Sequence, residues 1–169
     1  VDESGDEWLH GYDIVRKVVA GGPQRQDSVY NGFQALEEST EIAVVHDGVR
    51  PFATPQMIKE TVEAAGQHGT AITAIPVSDT IKQVADGFVE RTVSREGLWR
   101  VQTPQAFQYG LLQEAFAKAQ KDSYYGTDEG ALVEYLGKQV KIVSGSELNI
   151  KITRKEDLIL GESLLSVEK

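Results

Sequence analysis

The chain has no cysteine and only one methionine and five prolines among its 169 residues. Without cysteine it can form neither a disulfide framework nor a thiolate metal site, which fits a reducing compartment. No apolar run reaches the ~18 residues that span a bilayer, and Val1–Asp13 is acidic, without a signal-peptide pattern. These absences predict a cytoplasmic protein that does not bind membranes, although a removed plastid leader would leave no trace in this sequence.

Positive charge is also scarce, because 17 Lys and Arg residues face 26 Asp and Glu residues, a formal net charge of −9. This balance argues against a nucleic-acid partner and against an anionic membrane surface, since both favour basic faces. An anionic substrate must therefore be met by a local group of cations. The length predicts a single domain over residues 1–169.

Strand and helix patterns alternate along most of the chain. Ile14–Ala20 alternates apolar and charged residues as a strand does, while the continuous apolar run Ile42–Val45 predicts a strand buried on both faces. Further strands are predicted at Thr70–Ile75, Val140–Val143 and Asn149–Ile152, and helices after Asp27-Ser28, from Thr54-Pro55 to Gly69, over about Leu111–Gln120, from Thr127-Asp128 and from Lys155. This order predicts an α/β sandwich with a mainly parallel sheet.

A hairpin interrupts this alternation between Ile81 and Val93. Two β-rich stretches flank Ala85-Asp86-Gly87, a strong hairpin signal. We expect an arm over about residues 78–97 that projects from the sheet. An isolated two-stranded hairpin is marginally stable in water, so a partner subunit is its expected support.

Asp47 follows the strand Ile42–Val45 and is the candidate metal ligand. A carboxylate at a strand end can hold Mg²⁺, which binds one or two protein carboxylates together with phosphate oxygens and water. Equally, Asp47 can cap the loop that leads into Arg50-Pro51, and spacing alone does not decide. For His46 a hydrogen bond to the backbone is favoured, because no second histidine is spaced for a metal site.

Gly21-Gly22, followed by Arg25 and Ser28, is the candidate nucleotide-binding loop. Glycines allow close backbone approach, and a helix N-terminus offers free N–H donors to a phosphate. In this interpretation Ser28 contacts a base edge while Arg25 faces phosphate. The alternative is an ordinary turn in which Ser28 is an N-cap and Arg25 a solvated charge.

Other polar positions have two interpretations as well. Thr80 and Arg95 lie at the two feet of the arm and are either ligand groups or turn and surface residues. Thr103, extended before Pro104, either presents its hydroxyl to an anion or ends a strand. Lys151 shares a strand face with Asn149. Thr127-Asp128-Glu129 is most simply a helix cap with favourably placed acids.

The order of these motifs from Gly21 to Leu165 resembles the 2-C-methyl-D-erythritol 4-phosphate cytidylyltransferase family. The matching runs are Gly21-Gly22 with Arg25–Gly32, Val45-His46-Asp47 with Arg50-Pro51-Phe52, Pro76-Val77 with Asp79–Lys82, Leu98-Trp99 with Gln102–Phe107, Thr127-Asp128-Glu129, and Asn149–Thr153 with Glu156-Asp157-Leu158. The resemblance implies a Rossmann-like three-layer sandwich and transfer of a cytidylyl group from CTP to methylerythritol phosphate in non-mevalonate isoprenoid biosynthesis. It also implies Mg²⁺ and a homodimer joined through the arms.

The resemblance also assigns roles to single residues. The nucleotide would be bound by Gly21, Gly22, Arg25 and Ser28, the metal by Asp47, and methylerythritol phosphate by Asp47, Thr80, Arg95, Thr103 and Lys151. Thr80 and Arg95 would reach the partner's site. The expected catalytic residues are Asp47, Arg95 and Lys151.

This sequence departs from the family at Pro23, at Gly48-Val49, and in the absence of an N-terminal strand and glycine-rich loop. We therefore expect the natural protein to be longer. One alternative is a ribitol-5-phosphate cytidylyltransferase, towards which His46–Pro51 leans slightly. Another is an inactive nucleotide-binding or dimerisation fragment, which an intact mass of 18.6 kDa would support.

Overall fold

The computed structural model of the protein describes Tyr12 and residues 14–167. Its helices are α1 (Arg25–Gln34), α2 (Pro55–His68), α3 (Tyr109–Lys121), α4 (Glu129–Tyr135) and α5 (Lys155–Val167). Its strands are β1 (Ile42–Val45), β2 (Thr70–Pro76), β3 (Ile81–Ala85), β4 (Phe88–Val93), β5 (Trp99–Gln108) and β6 (Lys141–Ser144). In this described part, no helix is long and apolar enough to cross a membrane.

The main sheet has the strand order β1-β5-β2-β6. β5 pairs antiparallel with both β1 and β2, whereas β2 pairs parallel with β6. Three of these four strands therefore run in one direction and β5 runs against them. The prediction of a mainly parallel sheet is confirmed for strand direction, although the pairing is mixed.

Helices cover both faces of this sheet. Side chains alternate along β5, so neighbouring Ala106 and Phe107 enter two separate core clusters. Phe107 packs with Phe33 of α1 and Phe116 of α3, whereas Ala106 packs with Ala65 of α2. The result is the predicted α/β three-layer sandwich.

Local signals placed several element ends correctly. The Thr54 side chain accepts from Met57 N at the start of α2, and Gly69 ends that helix with φ 87°. Asp128 caps α4 by accepting from Ala131 N. In the arm, Asp86 (φ 50°) and Gly87 (φ 81°) join β3 to β4, as predicted.

Two predicted strands are wrong. Ile14–Ala20 has no strand structure, because no described strand lies beside it to supply ladder hydrogen bonds. Asn149–Ile152 is a loop in which Ile152 N donates to Val49 O and Asn149 N to Ser146 O. These backbone groups are bonded to loops, so they do not join the sheet.

Two details of other elements also differ from the predictions. β1 forms as predicted, but it lies at the edge of the described sheet and Val44 is 42% exposed, so it is not buried on both faces. α1 begins at Arg25 after Gln24 as N-cap, rather than being capped by Asp27 or Ser28. Asp27 instead accepts from Gln24 N as the acidic member of a capping box.

Candidate functional site

A cleft of about 360 Å³ lies where β1 ends, beside the middle of β5 and the start of α4. Its lining includes Arg25, Asp47, Arg50, Thr103 and Lys151. Arg25 comes from the start of α1 and Lys151 from the loop before α5, so distant parts of the chain meet here. The structure therefore brings together Arg25, Asp47, Thr103 and Lys151 among the predicted site residues.

Asp47 stands among three cationic side chains. Lys151 Nζ lies 3.0 Å from Oδ2, Arg50 Nε 3.6 Å from the same oxygen, and Arg25 Nη2 3.5 Å from Oδ1. Burial alone would raise the pKa of Asp47, but Lys151 above all, with both guanidinium groups, outweighs burial and lowers it. Asp47 is therefore a carboxylate at neutral pH with three cations around it; Asp128 and Glu134 also line the cleft, so its lining holds three cations and three acids.

The backbone beside Asp47 is fixed by a closed network of hydrogen bonds. Thr103 Oγ1 accepts from Asp47 N (3.0 Å) and lies 2.9 Å from His46 Nδ1. His46 Nε2 lies 3.0 Å from the Arg50 carbonyl oxygen, which can only accept, so in the neutral ring Nε2 carries the proton and Nδ1 accepts from Thr103. Arg50 Nη1 then donates to Asn149 O (2.7 Å), and Asn149 Nδ2 to Thr103 O (2.8 Å).

This hydrogen-bond network supports the interpretation of His46 as a histidine hydrogen-bonded to backbone. It also engages Thr103, whose hydroxyl accepts from a backbone N–H and donates to a ring nitrogen. The expected contact between Thr103 and an anionic substrate stays a prediction. In this structure the side chain joins β5 to the loop after β1.

Glu129 carries the most buried carboxylate among the ion pairs of this region. Its side chain is 1% exposed, and its two carboxylate oxygens accept from Arg25 Nη1 (2.7 Å) and Nη2 (3.0 Å). Burial raises the pKa of Glu129, and Arg25 opposes that effect only in part. Arg25 is thus held by a carboxylate, while its side chain stays 38% exposed.

The predicted nucleotide loop is closed by hydrogen bonds of its own. Gly22 N donates to Ser28 Oγ (2.9 Å), and Ser28 Oγ donates to Gln24 O (3.2 Å). A Cβ added to Gly22 would lie 2.3 Å from the Asp27 Cβ, so this close approach requires glycine. Gly21 and Gly22 lie outside the cleft lining, and their contact with a nucleotide stays a prediction.

The structure does not bring Thr80 and Arg95 into this cleft. Thr80 is exposed directly before β3, and Arg95, shortly after β4, donates to the backbone oxygen of Ser78 at the foot of the arm. The arm itself is almost wholly exposed, with Phe88 79% accessible. Within one chain the arm therefore contributes nothing to the cleft lining.

Asp47 is one of three carboxylates that line this cleft, with Asp128 and Glu134, and is the one that the sequence predicts as a metal ligand. Over the described residues, no group of three or more His, Cys, Asp or Glu side chains is placed to hold a metal ion. Mg²⁺ needs only one or two protein carboxylates when phosphate oxygens and water complete its shell, so Asp47 suits a metal that arrives with a nucleotide.

Sequence reasoning assigned no site role to Glu129, Arg50, Asn149 or Gln105. Glu129 was interpreted as a favourable acid of a helix cap, yet its carboxylate turns inward to Arg25. Gln105, 1% exposed, donates to Asp128 Oδ2 (2.8 Å) and accepts from Gly130 N (3.3 Å), which ties α4 to β5. The available signal was polarity within a strand, because glutamine is rarely buried without partners.

Proteins of known identity share this fold and about half of this sequence. A profile of the family described as IspD, 2-C-methyl-D-erythritol 4-phosphate cytidylyltransferase, matches residues 5–167. The enzyme of that name from Syntrophus aciditrophicus (strain SB) is 50% identical over 156 residues, which cover 92% of this chain and 67% of the relative. The one from Geobacillus thermodenitrificans (strain NG80-2) is 52% identical over 155 residues, covering 90% and 68%.

Solved structures agree. The crystal structure of 4-diphosphocytidyl-2C-methyl-D-erythritol synthase from Anaerococcus prevotii DSM 20548 has TM-score 0.85 at 35% identity, covering 94% of this chain and 74% of that one. The cytidylyltransferase from Thermus thermophilus has TM-score 0.81 at 38% identity, covering 86% and 71%. The chain spans about two thirds of the length of these sequence relatives (67% and 68%). On this match, and on the motifs from Gly21 to Leu165, the chain belongs to the 2-C-methyl-D-erythritol 4-phosphate cytidylyltransferase family.

Proposed function

We propose that the protein transfers CMP from CTP to 2-C-methyl-D-erythritol 4-phosphate and releases pyrophosphate, as a step of non-mevalonate isoprenoid biosynthesis. The observation that carries this proposal is the convergence of Lys151, Arg50 and Arg25 on Asp47. In a chain of net charge −9, three cations surround one carboxylate in this cleft, and two further acids, Asp128 and Glu134, line it. A local group of cations of this kind suits a polyanionic substrate pair. Family membership supports the identity of the two substrates.

The chemistry needs little proton transfer. A phosphate oxygen of methylerythritol phosphate is already ionised and attacks the α-phosphorus of CTP, while the bond from that phosphorus to the bridging oxygen of the β-phosphate breaks. One P–O bond forms and one breaks, and pyrophosphate leaves with the bonding electrons. Catalysis then consists of positioning and of neutralising charge at the α-phosphate, a role that suits Lys151.

Asp47 would hold a divalent cation such as Mg²⁺. The metal would supply charge neutralisation of the phosphates when bound. Asp47 itself, with both oxygens held by cationic side chains, is kept ionised and oriented towards the cleft. Lys151 would leave part of its contact with Asp47 to meet a substrate phosphate, because its ammonium is a flexible point charge.

The nucleotide end of the site would be the loop Gly21–Ser28. The space beside the Gly22 Cα is filled by Asp27, so a base would reach this backbone by replacing the Ser28 Oγ that now accepts from Gly22 N. Ser28 would exchange one of its present hydrogen bonds for the cytosine edge. A cytoplasmic location, expected from the absence of cysteine, is part of the same proposal.

A homodimer would complete the site. Thr80 and Arg95 are predicted to hold methylerythritol phosphate, yet they lie at the foot of the arm and outside the cleft of their own chain. The exposed apolar side chains of the arm, Val84, Phe88 and Val89, need a covering surface. A second copy of this chain would supply that surface and receive the arm's two site residues.

The test is a pyrophosphate-release assay on the intact natural protein, including any residues that flank this chain. With CTP and Mg²⁺, methylerythritol phosphate should give much faster release than ribitol phosphate. Faster release with ribitol phosphate would transfer the assignment to that enzyme. Absence of release with either acceptor, in protein shown to be folded, would contradict the proposed activity.

A further inference from the structure

The ion pair between Arg25 and the buried Glu129 has more contacts than a helix cap requires. Glu129 opens α4, where an acid favours the helix dipole even when it is exposed to solvent. Its side chain is nevertheless 1% exposed, and burying a carboxylate is unfavourable unless a partner compensates it. Arg25 compensates through two parallel hydrogen bonds of 2.7 and 3.0 Å. The arrangement therefore serves the position of Arg25 and not the stability of α4 alone.

Arg25 has a second carboxylate neighbour. Its Nη2 lies 3.5 Å from Asp47 Oδ1, while Lys151 holds the other oxygen, Oδ2, at 3.0 Å. A bidentate pair fixes the plane of a guanidinium as well as its distance. Because Glu129 fixes the orientation of the Arg25 guanidinium, that guanidinium in turn constrains one carboxylate oxygen of Asp47.

We propose that Glu129 is a positioning residue that holds Arg25 as a strut against Asp47, so that Arg25 orients Asp47 instead of binding a substrate phosphate. The inference rests on the proposed function, because it takes Asp47 as a working residue of that reaction. It replaces the phosphate contact expected for Arg25. It also gives Glu129 a role that its place in a helix cap did not suggest.

The start of α1 is anchored to the same segment by neighbouring contacts. Gln26 Nε2 donates to Tyr124 O (3.1 Å), and Gln26 Oε1 accepts from Gly126 N (2.9 Å). Gln26 is itself buried. The first turn of α1 and the loop before α4 are therefore packed together. The Arg25–Glu129 pair extends from them towards the cleft.

A strut predicts a loss of kcat in Glu129→Gln, whereas a phosphate contact for which Glu129 competes predicts no such loss. The glutamine is nearly isosteric but removes the charge that fixes Arg25. If Arg25 bound phosphate, its release from Glu129 would leave the KM for CTP unchanged or lower. For a strut, Asp47 loses its orientation, and we expect kcat to fall about 10- to 100-fold while the KM for CTP changes by less than about 3-fold.

Arg25→Lys separates the two roles a second time. Lysine keeps the positive charge, so a phosphate contact would largely survive. It cannot form the fork to Glu129, so a strut fails and kcat should fall about as far as in Glu129→Gln. Glu114→Gln is the matched control, because Glu114 is an exposed acid on the neighbouring helix α3 and lies outside the cleft lining; its kcat should stay within about 3-fold of wild type.

Coupling to Asp47 is the decisive measurement. In an Asp47→Asn background the strut has no carboxylate left to orient, so adding Glu129→Gln should reduce kcat by no more than about 2-fold further. Multiplication of the two single losses would overturn the proposal, as would a Glu129→Gln enzyme with kcat within about 3-fold of wild type. If Glu129→Gln does not fold, Glu129→Asp takes its place, since it keeps the charge but shortens the reach to Arg25.

Denaturant unfolding keeps this test separate from the proposed function. Arg25→Gln, Glu129→Gln and the double variant should show strong coupling in unfolding midpoints whether or not the protein transfers CMP. A wild-type protein without transferase activity would contradict the proposed function and exclude the catalytic strut with it, leaving only a structural pair. An active wild type with uncoupled Arg25 and Glu129 would overturn the strut alone.

Discussion

The cleft and the arm differ in how their side chains are held in place. In the cleft, the polar side chains of Thr103, Gln105, Glu129 and Asn149 are buried and hydrogen-bonded to residues far away in the sequence. In the arm, side-chain hydrogen bonds join the two opposite strands, as between Lys82 Nζ and Thr92 Oγ1 at 2.6 Å. Several apolar residues there are exposed in the described part of the chain.

The difference shows how much of the proposed site one chain can fix. Asp47 is oriented from several sides by its own chain, so its geometry is independent of any partner. Arg95 takes its place from a hairpin whose two strands pack chiefly against each other in the described residues. If the arm acts in catalysis, we infer that a second chain must position it.

Asp47→Asn should give the largest effect. It keeps the hydrogen bonds but removes the charge that holds the cations and would bind a metal, so kcat/KM should fall about 10²- to 10³-fold while folding survives. Steady-state kinetics and circular dichroism measure both. Asp86→Asn, at the arm's turn, is the control, because asparagine tolerates the positive φ found there. Near-normal activity in Asp47→Asn would make Asp47 a loop cap.

Arg95→Ala tests the arm in the same way and should have the next largest effect. Loss of a charge-assisted phosphate contact is worth about 1.5–3 kcal/mol, or roughly 10- to 150-fold in kcat/KM. The loss should appear as a higher KM for methylerythritol phosphate with little change for CTP. Arg91→Ala, an arginine of the same arm bonded to Gln83, is the control. Equal losses in both variants would point to disruption of the arm rather than to a ligand contact.

Mixing two inactive variants decides whether the arm crosses between subunits. A heterodimer of Arg95→Ala and Lys151→Ala subunits would have one pocket with both lesions and one with neither. Activity should therefore return on mixing and subunit exchange, with heterodimers verified by mass. If Arg95 serves its own chain, every pocket keeps one lesion and no activity returns.

Lowering the pH should have a smaller effect, a loss of stability as Asp47 is protonated and its ion pairs are broken. The cations lower the pKa of Asp47, so its folded value lies below the ordinary value of about 3.9. Its stabilising contribution is therefore present above that value and is lost as the pH falls through the lower folded pKa. Lys151→Met removes the largest opposing cause, so its free energy of unfolding should decline less between about pH 5 and 3 than that of wild type. Parallel curves from urea titrations would contradict this.

The smallest expected effect is on stability at the tip of the arm. Phe88→Ala removes a side chain that is 79% exposed, so the unfolding free energy of the monomer should change by no more than about 0.5 kcal/mol. The same truncation at Phe107, which is fully buried between α1 and α3, should cost about 3–5 kcal/mol. Unfolding is measured at protein concentrations low enough to keep the chain monomeric. A large loss at Phe88 would show that the arm is packed within its own chain.

Much of the fold was predictable because short-range chemistry encodes it. Thr54-Pro55 and Gly69 mark the two ends of α2, and Asp86-Gly87 marks a turn with positive φ. The same reasoning failed at Ile14–Ala20, where alternation was present but no described neighbouring strand supplied hydrogen bonds. Alternation describes the faces of a strand, whereas a strand exists only with a ladder partner.

The candidate site divides in the same way. Its motif residues Arg25, Asp47, Thr103 and Lys151 were recognisable from their order in the chain, and the structure brings them to one cleft. The partners that decide their chemistry were not recognisable. Glu129 meets Arg25 across a sequence separation of 104 residues.

The sequence by itself determined which family this chain belongs to, where most elements begin and end, and which polar residues follow the strands. The tertiary structure alone decided that β5 runs against its neighbours, that Thr103 joins His46, and that a buried carboxylate controls Arg25. The physical reason is the separation along the chain over which each kind of interaction acts. Caps, turns and side-chain periodicity act over a few residues, whereas strand order and direction set which distant side chains share a buried space.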